Sequence, residues 1–174
     1  MSSPTLSHAQ ENEVVETSSR YLDLAADAFR RNIEMIPIHF DLTGRCAGMF
    51  KMKGGQRMIR YNPYIFARYY QDSLENTVPH EVAHYVVEQV YGRTNIRPHG
   101  RQWKNVMALF GCSPKVTGHY DLTGIPARQY QRFPYICECQ SHQLTIIRHK
   151  RVLKGQARYL CRRCGTALRP DQSC

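Results

Sequence analysis

His80, Glu81 and His84 stand in the run Val78-Pro79-His80-Glu81-Val82-Ala83-His84. Two histidines four residues apart on a helix project to one side, because four residues rise about 6 Å and turn about 400°. That spacing lets both imidazoles bind one tetrahedral zinc ion. Glu81 is one residue on, so its carboxylate sits beside the metal without being a ligand. There it can take a proton from a water whose pKa the metal lowers toward 7. The chemistry indicated is metal-assisted hydrolysis, which needs three protein ligands and an open fourth position. Val87 and Val90 occupy the positions where an extended motif would carry a glycine and a third histidine. His99, in Arg97-Pro98-His99-Gly100, is the favoured third ligand, with Pro98 stiffening the approach and Gly100 letting the backbone pass close to the metal. His119, in Gly118-His119-Tyr120, is its rival. Tyr85, His119 and Tyr120 are candidates to stabilise an oxyanion.

A second set of metal-ligating residues lies in the tail. Cys161 and Cys164 are separated by two arginines and followed by Gly165. This is a knuckle whose backbone N–H groups can point at sulfur. Its partner half lies within Cys137-Glu-Cys139-Gln-Ser-His142 and supplies two of Cys137, Cys139 and His142. Residues 144–149 and 156–160 read as strands of a hairpin bridging the two halves. About 35 residues with few large apolar groups would hardly fold without such a staple. Cys46 and Cys112 stand alone and read as small buried apolar residues.

These residues need elements to hold them. Residues 1–12 are polar and expected to fray. Apolar residues at helical spacing predict a helix over 14–35, ended by Pro37. Residues 38–42, 47–52 and 57–61 read as strands, the last two around Lys53-Gly54-Gly55. Asn62-Pro63 opens a short helix to Tyr70. A second helix spans Leu74 to Tyr91, its apolar surface built from Val78, Val82, Val86, Val87 and Val90, with Gly92 closing it. A third runs from Arg101 to Phe110. Residues 113–134 are rich in Gly and Pro and read as a linker. The fold class is therefore α+β, with a body over 14–127 and a basic β-rich module over 128–174.

The 174 residues hold 42% hydrophobic and 22% charged side chains, which excludes a wholly disordered chain. No apolar run is long enough to span a membrane. The N-terminus lacks a basic region followed by an apolar one, so a secretory signal is not expected and the chain reads as cytoplasmic. Seven cysteines in such a chain are thiols or metal ligands. Residues 1–127 hold 14 basic and 12 acidic side chains, a net of +2; residues 128–174 hold 10 and 2, a net of +8. A basic module on a nearly neutral body suggests a polyanionic partner, here nucleic acid. Arg148, Lys150, Arg151, Lys154, Arg158, Arg162 and Arg163, with His149, would meet phosphates, and Tyr130, Phe133, Tyr135 and Tyr159 interleave with them. No recognition helix is apparent in the tail.

The motif segment and the run Pro98-His99-Gly100-Arg101-Gln102-Trp103-Lys104 together resemble the SprT family of zinc metalloproteases. Its eukaryotic relatives, the Spartan proteases, digest proteins crosslinked to DNA. The resemblance runs from about Ser18 to Leu168, and the bacterial members are similar in length and layout. It implies a minimal zincin-like fold followed by a zinc ribbon. It also implies His80, His84 and His99 as ligands of a catalytic zinc, Glu81 as the base, and a structural zinc in the ribbon. Relatives usually place two residues between the first pair of ribbon cysteines, whereas Cys137 and Cys139 have one between them. The expected function is a zinc endopeptidase acting on proteins at or near DNA. The alternative is a nucleic-acid adaptor with two structural metals and no proteolysis.

Overall fold

A computed structural model describes residues 4–115, 120–127 and 131–171. His119, Tyr130, Arg128 and Cys174 lie outside the described residues. The chain forms two compact units, Met1–Ala127 and Arg128–Cys174. The architecture is mixed α+β, as the sequence pattern indicates.

In the first unit, helix α1 spans His8–Phe29. It begins well before residue 14 because Ser7 and Gln10 form a reciprocal capping box, which satisfies two orphan N–H groups. It ends at Arg30 in the left-handed region (φ 50°), seven residues short of Pro37. Strands β1 (Ile38–His39), β2 (Gly48–Lys53) and β3 (Gln56–Tyr61) form one sheet in the order β1-β3-β2. β2 and β3 are an antiparallel hairpin, and β1 joins β3 in parallel. β2 is therefore an edge strand. Asn62 caps α2 (Pro63–Arg68) by accepting from the N–H groups of Tyr64 and Ile65.

A short helix α3 (Tyr70–Asp72) widens into a π turn over Ser73–Thr77 and continues as α4 (Val78–Tyr91). Pro79 explains the widening: it has no N–H to donate back, and its ring crowds the carbonyl four residues earlier. Val78, Val82 and Val86 are completely buried, as is Ala83. α4 is the central helix, packed against α1, β2 and α5 (Arg101–Leu109). Gly92 ends it at φ 77° and ψ −156°, a conformation open essentially to glycine alone.

The second unit is a three-stranded antiparallel sheet in the order β5-β4-β6, built from β4 (Arg132–Ile136), β5 (Ser141–Thr145) and β6 (Arg169–Pro170). The expected hairpin of 144–149 with 156–160 is not formed. Residues 146–153 are instead a helix, α6 (Ile146–Leu153), carrying Arg148, Lys150 and Arg151. Its short apolar pairs, Ile146-Ile147 and Val152-Leu153, fit either period, so the local pattern could not separate strand from helix. The tail thus does hold a short basic helix. The real hairpin is β4–β5, and its turn is the first cysteine knuckle. The second knuckle lies between Leu160 and Ala167, which form an isolated antiparallel bridge.

Candidate metal centres

α4 brings His80 and His84 to one face, and the turn before α5 brings His99 to meet them. The three Nε2 atoms form a nearly equilateral triangle: 3.2 Å for His80–His84, 3.0 Å for His84–His99 and 3.0 Å for His80–His99. One tetrahedral zinc with Zn–N of ~2.0–2.1 Å would separate its nitrogens by about 3.3 Å, so this donor set fits that ion. Burial lowers His80 to about 4 and His84 to about 3, each also disfavoured by a neighbouring imidazole, and burial lowers His99 as well. All three rings are therefore neutral near pH 7, with lone pairs free to ligate. His99 adopts φ 55°, a left-handed conformation that costs a non-glycine residue about 1 kcal/mol. Gly100 serves a different purpose from the one its position suggests. Its N–H closes a turn on the Arg97 carbonyl, and a Cβ there would lie 2.9 Å from that oxygen.

Glu81 is 7% exposed and points beneath β2, where its Oε2 accepts the Phe50 N–H at 2.7 Å. Burial pushes its carboxyl up to about 7 against the pull of that N–H. Gly48 makes the arrangement possible: a Cβ there would lie 2.8 Å from Glu81 Cγ and 2.8 Å from Thr77 Cγ2. A groove of about 570 Å³ opens over the triad, bounded by β2, α4 and the loop of residues 92–99.

Trp103 also belongs to the site. Its indole, 1% exposed, lies against all three imidazoles, with ring centroids 4.8 Å from His80, 5.8 Å from His84 and 4.8 Å from His99. Its Nε1–H donates to the His80 carbonyl at 3.3 Å. The signal was present in the sequence, since Trp103 follows His99 by four residues and opens an amphipathic helix. Tyr85 is directed elsewhere: its hydroxyl donates to the Glu34 carbonyl at 2.9 Å. Tyr120 donates to Asp72 at 2.5 Å and stacks on Tyr69. Neither lines the groove. Cys46 is exposed rather than buried, its thiol donating to the Gly48 carbonyl, and Cys112 is half-buried beside Tyr21.

In the second unit, Cys137, Cys139, Cys161 and Cys164 place their sulfurs within 4.8 Å of one another. Cys137–Cys139 is 3.5 Å and Cys139–Cys161 is 3.7 Å. Zinc with Zn–S of ~2.3 Å separates its sulfurs by about 3.8 Å, so these four thiols fit a closed tetrahedral site. His142 stands outside the four, its Nε2 3.2 Å from Cys137 Sγ. The Arg163 N–H points at Cys161 Sγ at 3.4 Å. Hydrogen bonds from Thr166 lower the Cys164 thiol to about 6, while its bond with Cys164 raises Cys139.

Arg148, Lys150, Arg151, Lys154, Arg158, Arg162 and Arg163 are all exposed, and none forms an ion pair among the described residues. The aromatic rings are less available. Tyr135 is fully buried with its hydroxyl on His149, Phe133 is stacked on the His149 ring at 3.8 Å, and Arg148 covers Tyr159. No helix among the described residues is long and apolar enough to cross a membrane.

The family model described as the SprT-like family matches residues 18–130, and that of the SprT-like zinc ribbon domain matches residues 131–172. Among similar curated proteins, Protein SprT of Vibrio parahaemolyticus is 40% identical over 148 residues, covering 84% of this chain and 86% of its own. Protein SprT of Pasteurella multocida is 34% identical over 157 residues (90% and 91%). Protein SprT of Klebsiella pneumoniae is 32% identical over 169 residues (97% and 98%). No solved structure matches the chain at a significant level.

Proposed function

The chain belongs to the SprT-like family, and on that premise we propose that it is a zinc-dependent endopeptidase whose basic ribbon brings it to proteins bound to or near DNA, in the cytoplasm. The observation that carries this reading is the convergence of three neutral imidazoles beside a buried carboxylate at the floor of an open groove. A purely structural site has no use for that carboxylate.

His80, His84 and His99 would hold the metal, with the Trp103 indole backing their rings. When bound, zinc supplies Lewis acidity to the scissile carbonyl and to the attacking water. Glu81 takes the proton of that water and then passes it to the leaving amine. In the metal-free chain burial pushes this carboxyl up to about 7; a bound zinc ion would draw it down and favour the carboxylate that accepts the proton. The Phe50 N–H fixes the carboxylate's orientation. The edge position of β2 supports the binding half of the reaction. The Phe50 N–H is held by Glu81 and the Gly48 carbonyl by the Cys46 thiol, so an extended peptide would pair with the remaining outer N–H and C=O groups of β2, beside the triad.

Glu81→Gln should abolish cleavage of a denatured protein substrate while zinc remains bound. Cleavage surviving in that variant would refute the role given to Glu81. For the ribbon, affinity for single- and double-stranded DNA should fall steeply with salt, because seven exposed cations displace counterions from phosphates. Binding without salt dependence, or none, would remove DNA from the account. A chain that binds DNA but cleaves nothing would be the non-proteolytic adaptor.

A further inference from the structure

The groove over the triad is not uniform along its length. β2 and α4 run side by side in the same direction. Gly48 lies against Thr77 and Glu81, Phe50 against Glu81 and Tyr85, and Met52 pairs with Arg57, which grips Glu88. One end of the groove is thus defined by residues one helical turn beyond His84. Val87 is its floor, with half-buried Met52 and Ile96 as its walls.

Glu88 lines that end and is paired from behind by Arg57, which does not line the groove. Arg57 donates Nε–H to Glu88 Oε2 at 2.7 Å and a second N–H to Oε1 at 2.9 Å, and Gln89 adds a third donor at 2.6 Å. Three donors already occupy Glu88, which leaves it little acceptor capacity for a cationic side chain of a substrate. Arg93 and Arg97 also line the groove, exposed and without an ion pair among the described residues. One guanidinium cancels one carboxylate, and two further guanidinium groups remain at the rim. The end is apolar inside and cationic outside.

Resting on the protease reading above, we infer that Met52, Val87 and Ile96 form a specificity subsite. It takes a large apolar side chain flanking the scissile bond, with Arg93 and Arg97 favouring an acidic residue beside it. The reach is right: an extended chain advances about 3.4 Å per residue, and one helical turn from His84 to Val87 is about 5 Å. A carbonyl at the triad therefore sets the adjoining side chain over Val87. Large apolar side chains are mostly buried in folded proteins, so the substrates are unfolded or locally opened segments in which an apolar residue adjoins an acidic one.

The test is sequencing of the products when the zinc-loaded full chain digests a mixed peptide library. Wild type should enrich Leu, Met or Phe at one position flanking the cut and Asp or Glu close by. Met52→Trp fills the subsite from a half-exposed edge position, and should shift that residue to Ala or Ser. It should also lower cleavage of Leu relative to Ala peptides roughly tenfold. Arg97→Glu, at an exposed position, should reverse the acidic preference. Unchanged zinc content and circular dichroism would show that both variants fold. Cleavage by wild type without flanking preference, or profiles unaltered in both variants, overturns the subsite and leaves the protease reading standing. No cleavage by wild type carrying zinc in the triad overturns the protease reading and the subsite with it.

Discussion

Glu81 occupies a position that is costly for a charge. Its carboxyl is raised above the ordinary carboxylate value, to about 7, chiefly by burial. Protonated Glu81 therefore contributes stability that is fully present below about pH 4.5 and is lost as pH rises through about 7. In the metal-free chain, Glu81→Gln should exceed wild type at pH 8 by on the order of 3 kcal/mol, a gap that narrows to about 1 kcal/mol at pH 5 and closes below about pH 4. Urea unfolding across this range measures it, and a gap independent of pH would mean that Glu81 ionises without penalty. Gly48 is the second residue-scale constraint. Gly48→Ala drives a methyl into Glu81 Cγ and Thr77 Cγ2. It should cost about 1–3 kcal/mol and most of the activity while zinc binding persists, since no ligand is touched. Full activity in that variant would show that the carboxylate tolerates displacement.

At the scale of elements, the triad depends on two helices meeting at a fixed angle. α4 presents two ligands, and the turn before α5 presents the third. Trp103, on the first turn of α5, fills the space between them and ties itself to α4 through the His80 carbonyl. Trp103→Ala should cost about 3–5 kcal/mol and weaken zinc binding, because the cavity lets His99 drift from its partners. Titration with a chelator checks this, and unchanged zinc affinity would reduce Trp103 to core packing. The helical periodicity around Val78 to Val87 was legible in the sequence, as was the β2–β3 hairpin around its glycines. The basic helix α6 was not, since eight residues with apolar pairs at each end satisfy helix and strand templates alike.

At the scale of the whole molecule, the two units carry separate donor sets, three imidazoles in one and four thiols in the other. Purified protein should hold two zinc ions per chain, and His80→Ala with His84→Ala should hold one. Cys161→Ser with Cys164→Ser should unfold the second unit and abolish DNA binding while peptide cleavage persists. Metal analysis beside the two assays tests this. Loss of cleavage in the cysteine variant would mean that the first unit needs the ribbon for its chemistry.

Some of this was determined by the sequence alone. The four-residue spacing of His80 and His84 has only one outcome on a helix, and the charge division at residue 128 is a matter of composition. The choice of His99 and of a cysteine-bearing second module was also open to reading from local spacing. The tertiary structure decided the remainder, because it depends on residues distant in sequence. The selection of Cys137 and Cys139 over His142 follows from where the β4–β5 turn aims its sulfurs at Cys161. The dismissal of Tyr85 follows from a carbonyl 51 residues away. The carboxylate's altered acidity follows from an edge strand that covers it, and no pattern within the motif itself encodes that burial.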